Sequence, residues 1–170
     1  MYKTPYFSAI VLVALVFTGC IIPGARRERA EIELQRNDSI FFIDEGDFKF
    51  QIVLPKDLMI NHTPEILLQQ DKNHLVISCG PTFQLIAEIR DSQGSIQPTQ
   101  TGVFHCSILD NEDNSCVYSR NLPDGQVFDY GLIQQTNINE TDYIFYTDEL
   151  GEYTLQDVLK MRTALASIKM

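Results

Sequence analysis

Histidine is scarce in this chain and basic residues are outnumbered, and each shortage removes a class of function. The three histidines, His62, His74 and His105, stand singly, none at a spacing such as H-x-x-x-H, and no C-x-x-C pair occurs. No metal site and no cofactor is expected. A G-x-S-x-G nucleophile elbow, a phosphate-cradling glycine loop and a dinucleotide fingerprint are also missing, so no catalytic residue can be named. Lys and Arg number 13 against 23 Asp and Glu, a formal charge of −10. Such a surface repels phosphate backbones and anionic headgroups, which argues against nucleic acid as a partner. The chain also lacks a long uninterrupted apolar run. Tyr6 to Ile22 reaches the ~20 residues of a spanning helix only if Ser8, Thr18 and Gly19 are counted, so cleavage is expected rather than spanning.

The same stretch has the layout of a secretory signal, with Lys3 and the free amine before a short apolar helix-former from Ala9 to Phe17. Thr18 and Gly19 are small enough to enter a peptidase groove, and Cys20 follows with a thiol that can be alkylated. Thr18-Gly19-Cys20 resembles the lipobox of bacterial lipoproteins, with Phe17 where Leu is usual. The resemblance implies that residues 1–19 are a signal peptide. It also implies that Cys20 becomes a lipidated N-terminus, with diacylglyceryl and a further acyl chain such as palmitate. Several chains, at ~0.8 kcal/mol per buried CH₂, would make anchoring effectively permanent. Ile21 after the cysteine resembles lipoproteins passed on to the outer membrane. The implied location is the bacterial envelope, with the membrane contacted through the lipid.

Residues 20–43 read as a tether. Mixed charges from Arg26 onward show no sustained apolar period before Ile40. Such a segment would reach roughly 75 Å extended, and ~25–30 Å as a flexible coil. Within it, Asp38-Ser39-Ile40 resembles an O-glycosylation sequon of exported bacterial proteins.

A single globular domain is expected over residues 44–170. Phe48, Phe50, Ile52 and Leu54 alternate with Lys49, Gln51 and Val53 until Pro55 ends the run. Leu75, Ile77 and Cys79 share a face, Gly80-Pro81 turns, and Phe83, Leu85, Ala87 and Ile89 return. Val103 to Leu109 with Ser115 to Arg120, then Gln126 to Gln134 with Thr141 to Thr147, supply further strands. Short connections make neighbours antiparallel. Ile66 to Leu68 fits either a strand or part of a short helix. At the end the period changes. Thr154 with Asp157 three residues on forms an N-terminal cap, and Leu155, Val158, Leu159, Met161, Leu165 and Ile168 give an apolar face through about Lys169. The expected class is α+β, an antiparallel meander of about six to seven strands covered by a C-terminal helix. This order, with the Pro-terminated first strand and Met161, Ala164 and Ile168-Lys169 in the closing helix, resembles PsbP-like domains over about residues 44 to 170. The resemblance implies an α/β sandwich and auxiliary binding roles, and carries over no functional residue.

Three cysteines remain after Cys20. In an oxidising envelope, Cys106 and Cys116 are the candidate disulfide, because they flank the polar stretch Asp110 to Asn114. Register decides whether they share a face. The connection from Asp91 to Gly102 is the candidate binding loop. Ser92, Gln93, Ile96, Gln97, Thr99 and Gln100 offer hydrogen-bonding groups, and loops of this length are usually functional or mobile. The expected function is a non-catalytic, membrane-anchored envelope module that binds a protein or small ligand. The alternative is an envelope glycan or peptide hydrolase using acidic residues such as Asp44, Glu45 and Asp47.

Overall fold

The computed structural model describes residues 39–69, 73–90, 96–98, 102–112 and 114–170. The expected signal peptide, Cys20 and most of the expected tether lie outside the described residues, as do Ser92, Gln93, Thr99 and Gln100. No helix among the described residues is long and apolar enough to cross a membrane.

The fold is mostly antiparallel β-sheet with a C-terminal helix. A hairpin of β1 (Ile40–Glu45) and β2 (Phe48–Val53) is followed by a one-turn helix α1 (Lys56–Met59) and then by β3 (Glu65–Gln69), β4 (His74–Ser78) and β5 (Gln84–Arg90). The chain continues through β6 (His105–Glu112), β7 (Ser115–Asn121), β8 (Val127–Ile138), β9 (Thr141–Thr147) and α2 (Leu155–Ala166). The main sheet has seven strands in the order β3-β4-β5-β9-β8-β7-β6, and β1 and β2 form a separate two-stranded sheet. The sheet is therefore not a simple meander. Two meanders, β3 to β5 and β6 to β9, join where β5 pairs with β9, and the chain after β5 must cross to the opposite edge to begin β6.

One face of the main sheet is covered. Leu75, Ile77, Leu85, Ala87, Val117, Leu132 and Phe145 pack against Phe41, Ile43, Phe48, Phe50 and Ile52 of the hairpin and Val158, Met161, Ala164 and Leu165 of α2. Fully burying side chains of this size stabilises by about 1.5–3 kcal/mol each. Phe50 sets its edge against Phe145 with ring centroids 5.5 Å apart, and the Tyr143 hydroxyl donates to the carbonyl of Asp47 at 3.0 Å. Thr154 and Asp157 form the expected reciprocal cap of α2. The helix stops at Ala166, earlier than its apolar pattern suggests, because Lys169 instead forms a β-bridge with Gln51.

Three expectations need correction, and one open alternative is resolved. The globular domain begins by residue 40 rather than at residue 44, since Phe41 and Ile43 are core residues of β1. Ile40-Phe41-Phe42-Ile43 is apolar at every position, so the alternation that marks a half-buried strand is invisible there. Residues Ile66 to Leu68 belong to a strand. β8 runs on to Ile138, and Asn139 and Glu140, with φ of 51° and 63°, make the tight turn into β9. The Cys106–Cys116 disulfide does not form. Cys106 stands opposite Arg120 and Cys116 opposite Asn111, well apart along the ladder, and no disulfide is present among the described cysteines.

Candidate functional site

Cross-strand partners lie on the same face of a sheet, so the register identifies the face that neither the hairpin nor α2 covers. It carries His74 and Val76 on β4, Ile86, Glu88 and Arg90 on β5, Ile144 and Tyr146 on β9, Ile133 on β8, Tyr118 and Arg120 on β7, and Cys106 and Ile108 on β6. A cavity of about 270 Å³ opens on this face, slightly below the usual range for small-molecule sites. Its lining includes Glu88, Tyr118, Ile133, Ile144, Tyr146 and Glu149. Ile96 and Gln97 line it too. Two residues of the sequence-predicted loop thus reach the cavity.

The floor is shaped by a glycine. Gly131 on β8 lies directly under the Tyr118 ring, where a Cβ would come within 2.3 Å of it. Burial pushes the Tyr118 phenol up to about 12, partly offset by hydrogen bonding with Thr147 and by the nearby charge of Arg120. The hydroxyl is therefore a neutral hydrogen-bonding group at any ordinary pH.

Arg120 organises one end of the cavity. Its Nε donates to Asp129 Oδ1 at 2.6 Å and its Nη2 to Asp129 Oδ2, a bidentate pair in which both residues are buried. Nη1 donates to the carbonyl of Glu149 at 2.6 Å, Nη2 also to that of Gly151 at 3.0 Å, and the guanidinium lies 5.5 Å from the Phe104 ring centroid. Phe104 in turn packs on Phe128 at 4.9 Å. The pair is thus structural. It pins the connection between β9 and α2 against β7 and β8 and carries Glu149 to the rim. A buried charge can persist only when paired and hydrogen-bonded in this way.

Other candidate chemistry disperses. Asp44, Glu45 and Asp47 sit around the exposed β1–β2 turn, with Asp44 3.7 Å from Lys49, and do not line the cavity. His74 is 3.6 Å from Glu88, His62 packs on Gly80, and His105 is on the edge strand β6. No group of His, Cys, Asp and Glu among the described residues could hold a metal ion. Burial raises the thiols of Cys79, Cys106 and Cys116. Ser39, within the stretch that resembles a glycosylation sequon, is buried, with its carbonyl accepting from the Leu54 amide at 2.8 Å.

Sequence reasoning missed Tyr118, Arg120, Ile133, Tyr146 and Glu149 because the cavity depends on β5 lying beside β9. A signal was present for Gly131, since an isolated glycine inside a strand marks a bulge or a close approach. Comparison with protein-family models, with curated proteins and with solved structures finds no match to this chain.

Proposed function

We propose that the chain is a lipid-anchored, non-catalytic envelope lipoprotein of the outer membrane, and that its uncovered sheet face binds a small ligand. The observation that carries the binding reading is the cavity over Tyr118, Ile133, Ile144 and Tyr146. Its lining is more polar than apolar, with Glu88, Arg90, Gln97, Arg120 and Glu149 around the isoleucines and tyrosines, and so offers several hydrogen-bonding and charged groups to a small ligand. The guanidinium at its end is committed to Asp129 and to backbone carbonyls, which favours holding a ligand over turning one over. The sandwich of sheet, hairpin and helix fits the PsbP-like resemblance, whose auxiliary binding roles point the same way. Thr18-Gly19-Cys20 supports the anchor.

A ligand that binds only the folded state raises the unfolding temperature. Small-molecule extracts of the envelope should therefore stabilise the full chain but not an Ile133→Trp variant whose cavity is filled. Equal stabilisation of both, or of neither, would contradict the reading. The anchor is checked separately. Labelled fatty acid should enter the native chain and not Cys20→Ala, and equal labelling would remove the lipoprotein reading.

A further inference from the structure

We infer that the cavity selects an organic cation, a primary amine or guanidinium carried on an apolar body, with the cationic group held over Tyr146 between Glu88 and Glu149. This rests on the cavity reading proposed above and adds the chemical class of the ligand.

The placement of charge along the cavity carries the inference. Tyr146 stands opposite Ile86 on β5, and Glu88 is two residues further along that strand, about 7 Å away at ~3.4 Å per residue. Glu149 lies past the other end of β9, brought to the rim by the hydrogen bond between its carbonyl and Arg120. Carboxylates therefore flank the phenol ring from both sides. No described residue forms an ion pair with Glu149, and the neighbour of Glu88 is His74 at 3.6 Å.

Two guanidiniums also line the cavity, and only one of them is left to oppose these carboxylates. Arg120 is matched by the buried Asp129. Arg90, two residues beyond Glu88 on the same face and opposite Asp142, is the opposing charge, and its backbone lies at the end of the cavity away from Glu149. The Tyr146 hydroxyl records the resulting field. Its pKa is raised first by burial and then by Glu88, Glu149 and Asp148, with only Arg90 opposing. Asp148 adds its charge from outside the lining, its carboxylate accepting from Gln84 and the Leu150 amide. A cation over Tyr146 would sit between the levels of the two carboxylates and beside an aromatic ring, surroundings that attract ammonium and guanidinium groups. Ile133, Ile144 and Ile96 offer the apolar surface for the rest of the ligand. The formal charge of −10 on the chain also favours the approach of a cation.

The test uses three probes that share one body: 2-phenylethylamine, 2-phenylethanol and phenylacetate. Each is titrated calorimetrically into the detergent-solubilised full chain and into the Glu88→Gln/Glu149→Gln variant. Partition into micelles is common to both proteins and cancels in the comparison. The amine should bind the native chain about tenfold more tightly than the alcohol, the size expected of a partly exposed ion pair combined with a cation–π contact. That advantage should vanish in the double variant, whose unfolding temperature serves as the check that it is folded, and should shrink in high salt. Equal binding of amine and alcohol, or tighter binding of phenylacetate, would overturn the cation assignment and leave the cavity standing. Binding of none of the three would overturn both.

Discussion

Nη1 of Arg120 donates to the carbonyl oxygen of Glu149 at 2.6 Å, so a buried guanidinium inside the sheet sets the position of an exposed carboxylate at the cavity rim. Under the proposed binding role, this bond couples the stability of the sheet to the cavity rim. Replacing Asp129 by Asn leaves Arg120 buried without its counter-charge, and breaking such a pair from one side costs about 3–5 kcal/mol. Urea unfolding should show a loss of that order for Asp129→Asn. The double variant Arg120→Met/Asp129→Leu, which removes both charges, should lose much less.

Stability should fall in alkali. Burial pushes the phenols of Tyr118 and Tyr153 up to about 12, above the ordinary value of 10. A phenol with a raised folded pKa contributes its stability fully below the unfolded pKa and loses it as pH rises through the folded one. The window is therefore about pH 10 to 12, and each phenol contributes on the order of 2–3 kcal/mol. Unfolding free energy measured at pH 8, 10 and 11.5 should be level between the first two and drop at the third. Tyr118→Phe should flatten part of that drop.

Gly131 should resist substitution. A Cβ there would meet the Tyr118 ring at 2.3 Å, and Tyr118 is held between strands rather than free at a surface. Overpacking of this kind costs about 1–3 kcal/mol. Gly131→Ala should lower thermal stability by that amount, and a second change, Tyr118→Leu, should recover part of it.

The edge strand has its own clasp. A bulge between Ile108 and Asp110 turns Asp110 and Glu112 to the helix side, where Arg162 of α2 binds both at 2.6 Å. These carboxylates are partly exposed, so Arg162→Met should cost less than about 1 kcal/mol globally. Amide hydrogen exchange in β6 should nonetheless accelerate, since an edge strand with few buried side chains opens locally.

The sequence carried a good deal of this architecture, and the gaps have physical reasons. Phe48 to Leu54 and Leu85 to Ile89 show a period-two apolar face because that face is buried in the core. Thr154 and Asp157 name the helix start because capping is local chemistry. β1 was hidden by its own uniform hydrophobicity. The pairing of β5 with β9, and with it the cavity, depends on long-range order that period and turn residues do not encode. Arg120 and Asp129 are nine residues apart around a turn and a register shift, so their pairing was equally illegible. Ile96 and Gln97 were found through loop length and composition rather than through any contact.

The most direct test of the central claim is native mass spectrometry of the full chain released gently from its own membrane. Wild-type protein should carry a small-molecule adduct consistent with a cavity of about 270 Å³, displaced by excess 2-phenylethylamine, and the Ile133→Trp variant should carry none. Identical spectra for the two proteins, with or without the amine, would contradict a binding role for the open sheet face.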